Sequence, residues 1–456
     1  MLTVNVPHHA HAQYALHNNL LSEVSLPSDR PIDDMFVFSK RVTPRGKITN
    51  QHASGRCWLF AALNLLRLPF IEKLNLPTSF EFSQSYLFFW DKLERVNYVL
   101  QIVEHESTRG GGGAGTGAAP VSDDEVRPVA PEALDGRMLQ FLLKDPLGDG
   151  GQWQMFRNLV EKYGLVPKSV YPDGAHSRNS RGLNMVLTKK VREWCSHARA
   201  GRLNRQAALR ETYTLLTRFL GKPPREFSWE YYDRSDTHQR LPRLTPQKFY
   251  QEQVGAPLAQ YVSLIHDPRH GYNATYGVRH LGNVAGADDV KYLNLPIERL
   301  IELTQASIQA NEAVWFGSDV GQALRSQSCV MDARLFDIEG FLGVRFGLNK
   351  RERLEYGESQ MTHAMLITGY NEDAHGHIDR WEVENSWGTK GPGSGYYVMT
   401  TDWFRENVFQ VVVRRDRLTP AEQSQWDQAV SREHTFPPWD PMGALAHVIN
   451  ARAERS

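Results

Sequence analysis

A chain of 456 residues has room for two to four domains of about 100–200 residues, or for one large core carrying insertions. Apolar residues at 41%, aromatics at 11% and charged residues at 23% are globular values, which exclude a largely disordered or collagen-like chain. Lys plus Arg equals Asp plus Glu at 52 each, which excludes a uniformly basic nucleic-acid protein and a strongly acidic one.

The N-terminal arm is placed at residues 1–40. Its opening residues lack a basic stretch followed by an apolar core, so no secretory signal is expected. No apolar run anywhere approaches 18 residues, so no membrane-spanning helix and no membrane partner are expected. His8, His9 and His11 sit in a polar context and read as solvated side chains rather than metal ligands. The three cysteines, Cys57, Cys195 and Cys329, form neither a CxxC pair nor an even set. That pattern points to free thiols in a reducing, cytoplasmic compartment.

Residues 41–175 are expected to form a helical lobe. The run Trp58–Leu68 is rich in helix formers, and Leu59, Leu63, Leu66 and Phe70 recur at helical spacing, with Pro69 expected to end the helix. Within this lobe, 105–131 is a glycine-rich insertion containing Gly110–Gly113, Gly115 and Gly117, followed by Ser122–Glu125. Such a segment buries too little apolar surface to offset its ordering entropy and reads as a surface insertion. It lacks the Gly-Lys-Ser/Thr ending of a phosphate-binding loop. Residues 176–300 are expected to be a helical insertion. Its part 178–225 is strongly basic, with twelve Lys or Arg residues against Glu193 and Glu211, a local balance of +10.

Strands are expected beyond about Asn311, at Ala313–Phe316, Ala364–Ile367, Trp381–Asn385, Gly395–Met399 and Phe409–Val413. They make 301–436 a β-rich lobe, followed by a C-terminal arm and tail at 437–456. Helices first and strands later indicate an α+β architecture rather than repeating βαβ units.

Three separated pieces carry chemistry. In Gln51–Trp58 the Cys57 thiol lies where the buried helix begins. A free thiol is only a few per cent ionised at neutral pH, and both a helix N-terminus and an imidazolium partner favour the anion. In Thr362–Met365 a histidine, His363, opens an apolar strand. In Trp381–Gly388, a period of two puts Trp381, Val383 and Asn385 on one face. The Asn385 amide is then on the apolar side, where its carbonyl could accept an imidazole N–H and Trp387 could cover that bond. Cys195 and Cys329 have no companion that would activate them and read as structural.

The GRCWLFA run around Cys57, the THAM run around His363 and the ENSWG run around Asn385 resemble the bleomycin hydrolase family of papain-like cysteine peptidases. Glu81–Lys92, Asp149–Trp153, Ala313–Gly321 and Pro438–Ala446 are similar to the same family, so the resemblance spans most of the chain. It implies a two-lobed papain-like core and hydrolysis of N-terminal residues from peptides and small amides. Cys57 would be the nucleophile, His363 the general base and acid, Asn385 its orienter and Gln51 the oxyanion-hole amide. No metal or cofactor is implied. Gly150 and Gly151 resemble the wall along which extended substrate backbone lies, and Ala446 ends the shared run inside the cleft. Histidine follows cysteine by 306 residues, whereas papain-like enzymes use about 130–150. The surplus must be inserted between the two catalytic halves. In the resembled family such insertions build a homohexamer that encloses its active sites. Residues 447–456 run past the shared motif, an overhang that predicts self-trimming near Ala446. The basic 178–225 segment admits a second reading, an oligomeric nucleic-acid-binding protein with secondary peptidase activity.

Overall fold

The structure, a computed structural model, describes residues 10–27, 33–108 and 136–447. The glycine run, the acidic Ser122–Glu125, His8, His9 and all but the first residue of the C-terminal overhang lie outside the described residues.

Helix α1, Cys57–Lys73, is apolar on nearly every side and buried from Cys57 to Leu68, as expected of a helix at the centre of a large core. Pro69 does not end it. The proline lies on the exposed side, and the helix runs on because Phe70 and Ile71 are buried behind it. Losing one helical hydrogen bond costs about 3 kcal/mol, and burying each of those side chains stabilises by about 1.5–3 kcal/mol. Phe70 anchors an aromatic cluster with Phe80, Phe82, Trp229 and Phe249.

Around α1 lie α2 (Gln84–Thr108), α3 (Trp153–Tyr163), α4 (Arg181–Arg199) and α5 (Arg205–Leu220), with α4 and α5 packed on α2. The helical expectation for 176–300 holds mainly in this first part, with short helical turns at Pro246–Lys248, Phe249–Val254 and Leu258–Gln260 further on. A hairpin of β1 (Phe227–Tyr232) and β2 (His238–Leu244) follows. Then β3 (Tyr261–Ile265), β4 (Ala274–Val278) and β5 (Lys291–Asn294) enter the main sheet. Strands of four or five residues carry little period-two signal, and here they are specified by the neighbours they pair with.

After α6 (Ile297–Gln309) come β6 (Val314–Ser318), β7 (His363–Glu372), β8 (Ile378–Glu384), β9 (Tyr396–Thr400) and β10 (Val408–Arg414). These coincide with the five strands expected from sequence. The sheet order is Thr435–Phe436, β4, β5, β3, β10, β6, β7, β8, β9, Val330–Met331, Leu324–Arg325, and Lys40–Arg41 pairs with β7. The central pairs β10–β6, β6–β7 and β7–β8 are antiparallel. Helices beside an antiparallel-centred sheet make the fold α+β.

Helix α1 packs on β7 and β6, and Trp315 Nε1 of β6 donates to the Trp58 carbonyl at 3.2 Å. The β8 strand departs from simple alternation, since Glu382 and Glu384 are as buried as Trp381 and Val383. Glu382 meets Arg41 and Arg45 at 3.1 and 2.8 Å. Glu384 meets Arg67 of α1 at 2.6 Å.

Part of the basic segment is engaged internally. Lys190 bridges Glu193 and Glu211 at 2.9 and 3.3 Å. Arg192 donates to the Leu143 and Lys144 carbonyls, and Arg205 faces Glu104. Among the described residues no helix is long and apolar enough to cross a membrane.

Candidate active site

Cys57 is the first residue of α1 and is fully buried. β7 begins at His363, and antiparallel pairing sets His363 opposite Ser318 of β6. Because α1 lies across these strands, the backbone N–H of Ala364 reaches the Cys57 sulfur. Residues 307 apart in sequence thus meet, and His363 is the residue just before Ala364 on the strand. His363 Nε2 lies 3.0 Å from Asn385 Oδ1. An amide oxygen only accepts, so this contact assigns the proton to Nε2 and leaves Nδ1 as the acceptor. The Trp387 indole lies over the imidazole with ring centroids 4.7 Å apart, covering the bond as its position in sequence suggested.

Asn385 Oδ1 also accepts the Ser386 N–H at 2.8 Å, which fixes the amide plane. Ser386 then ties this strand end to the loop before Cys57. Its hydroxyl donates to Gln51 Oε1 at 2.6 Å, and its carbonyl accepts the Gln51 N–H at 2.8 Å. Gln51 Nε2 donates one hydrogen to the Ser54 carbonyl at 2.6 Å, leaving the other for an incoming oxygen. Ser386 was missed as a functional residue, although it stands inside the ENSWG run; a serine beside an orienting amide carries no signal until its partner 335 residues away is known.

Burial pushes the Cys57 thiol up to about 11, while the Ala364, Trp58 and Cys57 N–H groups pull it back. The helix N-terminus does not by itself offset the loss of water around the sulfur, so the anion that the sequence favours also needs its imidazolium partner.

The Asp149–Gly151 turn lies against this site. Trp58 Nε1 donates to the Asp149 carbonyl at 2.7 Å, and the Gly55 N–H donates to Asp149 Oδ2 at 3.0 Å. Burial alone would raise the Asp149 carboxyl, but Lys92 at 2.7 Å, Ser180 and Asn184 hold it well below the usual carboxylate range. The charge stays on, and with it the grip on the loop before Cys57. Gly150 faces the chain's own C-terminal segment, since a Cβ there would sit 1.8 Å from the Leu445 oxygen. A Cβ on Gly148 would come within 3.1 Å of the Ala446 oxygen. Gly151 instead lies against the Trp58 ring, which a Cβ would approach to 2.5 Å. Its lack of a side chain is thus required by packing on Trp58.

The Peptidase C1-like family model matches residues 3–109 and 124–443. The chain belongs to that family. Among its relatives, Aminopeptidase C of Streptococcus thermophilus is 39% identical over 442 residues, covering 94% of this chain and 93% of that protein. Bleomycin hydrolase of Homo sapiens is 41% identical over 429 residues, 90% of this chain and 89% of its own. The crystal structure of PepW from Lactobacillus rhamnosis HN001 (DR20) superposes with a TM-score of 0.86 at 36% identity, covering 95% of this chain and 94% of that one. The chain is a cysteine peptidase with the papain-like fold.

The other two cysteines of this peptidase are buried and free. Burial raises both thiols. Cys329 donates to the Ser326 and Lys390 carbonyls, and the only cause acting on Cys195 is burial.

Proposed function

We propose that this peptidase is an aminopeptidase that hydrolyses N-terminal residues of peptides and small amides through a thioester on Cys57. The observation that carries the reading is the seating of Leu445 and Ala446 against Gly148 and Gly150, on the turn that borders Cys57. A chain segment lying there occupies the space that peptide preceding the cleaved bond would need.

In the first step the Cys57 proton passes to His363 Nδ1 as sulfur attacks the carbonyl carbon. Because burial disfavours a lone thiolate, transfer to His363 rather than to solvent is the low-energy path. The oxyanion accepts from Gln51 Nε2 and the Cys57 N–H. The C–N bond breaks, and the imidazolium donates its proton to the leaving amine. Water deprotonated by His363 then attacks the thioester, releasing the acid and restoring the thiol. Asn385 keeps the imidazole in one tautomer throughout.

The test is a panel of aminoacyl amides and their N-blocked counterparts with wild type and Cys57→Ala. Free-amine substrates are expected to turn over, blocked ones to be refused, and the variant to be inactive. Equal rates on blocked and free substrates would overturn the reading. We also propose a cytoplasmic homohexamer, supported by the resemblance and by the free cysteines; light scattering on the full chain reporting a stable monomer at working concentration would remove it. The nucleic-acid reading receives no support: the relatives' names are those of peptidases, and Lys190, Arg192 and Arg205 at the surface are engaged by groups of the same chain.

A further inference from the structure

The C-terminal segment is anchored at a second place. Asp440 stands just before the turn Pro441–His447, and its two oxygens accept Arg269 Nη2 at 2.9 and 3.1 Å. Asp440 Oδ1 also accepts the Met442 N–H at 2.9 Å, fixing how the turn leaves the carboxylate. Arg269 is held from the other side by Asp267, through Nε at 2.9 Å, Nη2 at 2.8 Å and its own backbone N–H at 3.1 Å. Asp267 is fully buried. Its N–H donates to Asn294 Oδ1 at 2.9 Å, and Asn294 closes β5, so the carboxylate–guanidinium–carboxylate chain is rooted in the main sheet. Beyond it, the hydrogen bonds that the described residues give the segment are neutral ones. Met442 accepts from Tyr292 at 3.1 Å and Gln152 at 3.4 Å, and Pro441 accepts the Met361 N–H at 3.3 Å.

We propose that Arg269, clamped between Asp267 and Asp440, is a specificity-determining residue that fixes the register of the C-terminal segment against Gly148 and Gly150. It thereby sets how much peptide can lie on the amino side of the cleaved bond. This rests on the aminopeptidase reading. Neutral contacts along a turn let it slide, whereas a forked guanidinium between two buried carboxylates holds one geometry. The scale is right: a 3₁₀ turn advances about 2 Å per residue. A slip of one residue would move the Leu445 carbonyl off Gly150 by about that distance. Arg269 and Asp440 take part in none of the hydrogen bonds that join His363, Asn385, Ser386 and Gln51.

The experiment measures hydrolysis of matched free-amine and N-blocked aminoacyl amides by the full-length chain, for wild type, Asp440→Asn and Arg269→Lys. The isosteric Asp440→Asn removes the charge, and Arg269→Lys keeps it but gives up the fork. The expected result is a rise of about tenfold or more in the blocked-to-free ratio for Asp440→Asn, the size that follows when a buried charge pair is broken. A smaller rise is expected for Arg269→Lys, with kcat on free-amine substrates near wild type in both. Simple loosening of the fold would lower both rates together and would not create activity on blocked substrates. Either variant folding like wild type and keeping the wild-type ratio would overturn the clamp. Loss of the fold in both would overturn it too, because the pair would then be a support of the whole sheet rather than a determinant of register. Wild type accepting blocked substrates at the free-amine rate would instead sink the aminopeptidase reading.

Discussion

At Cys57 the helix N-terminus and the loss of water act on the thiol in opposite directions. A thiol at a helix N-terminus is favoured as the anion, yet burial lifts this one to about 11. The consequence for stability has a definite sign. The unfolded thiol ionises near its ordinary value of 9.0, so between pH 9 and 11 the unfolded state has lost a proton that the folded state keeps. Stability contributed by the neutral thiol is therefore fully present below about pH 9 and lost as pH rises towards 11. Urea midpoints of wild type and Cys57→Ala, compared from pH 8 to 11, are expected to diverge, with wild type losing about 2–3 kcal/mol more. At Gln51 the remaining N–H is the proposed donor to the developing oxyanion. Gln51→Ala is expected to lower kcat about 100- to 1000-fold with little change in KM. Ser386→Ala removes the hydroxyl that donates to Gln51 Oε1 and keeps the backbone N–H to Asn385, and its loss in kcat is expected to be smaller, about tenfold. Steady-state kinetics on one free-amine amide checks both.

At the scale of elements, periodicity and propensity placed the helix that starts at Cys57 and the five strands from Val314 to Arg414. They failed at Pro69, over the 227–244 hairpin and over 261–294. A proline on the outer side of a helix is overruled when the next two side chains are buried behind it. Pro69→Ala should restore the missing hydrogen bond. Stability by urea denaturation is expected to rise by about 2 kcal/mol, the helix gain less what the freer unfolded chain takes back. Strands β3, β4 and β5 are four or five residues each, too short for alternation to separate them from loop. They exist because β10 offers β3 a paired edge and β5 then joins β3.

Across the whole molecule, the buried pair Arg67–Glu384 links the helix that carries Cys57 to the strand that leads into Asn385. Both side chains are almost fully enclosed, and burial raises the Glu384 carboxyl against the pull of Arg67. Glu384→Ala leaves a buried guanidinium without its carboxylate and is expected to destabilise the fold by about 3–5 kcal/mol. The double change Arg67→Met, Glu384→Met is expected to recover most of that loss, since two apolar side chains of similar volume need no partner. Thermal and urea unfolding of the three chains measure it.

The chemistry of this protein was legible in the sequence because its residue types are local. A cysteine at a helix start, a histidine opening an apolar strand and an amide on a strand's apolar face each sit in a short motif, and the motifs together resemble one family. What a linear reading could not supply is whatever depends on two distant segments meeting. The Ser386 bond to Gln51, the burial that raises the Cys57 thiol, the packing of Gly151 on Trp58 and the carboxylates that grip Arg269 all span long separations. Local patterns encode backbone shape and side-chain chemistry; the removal of water and the pairing of remote groups are properties of the folded whole, and only the tertiary structure decided them.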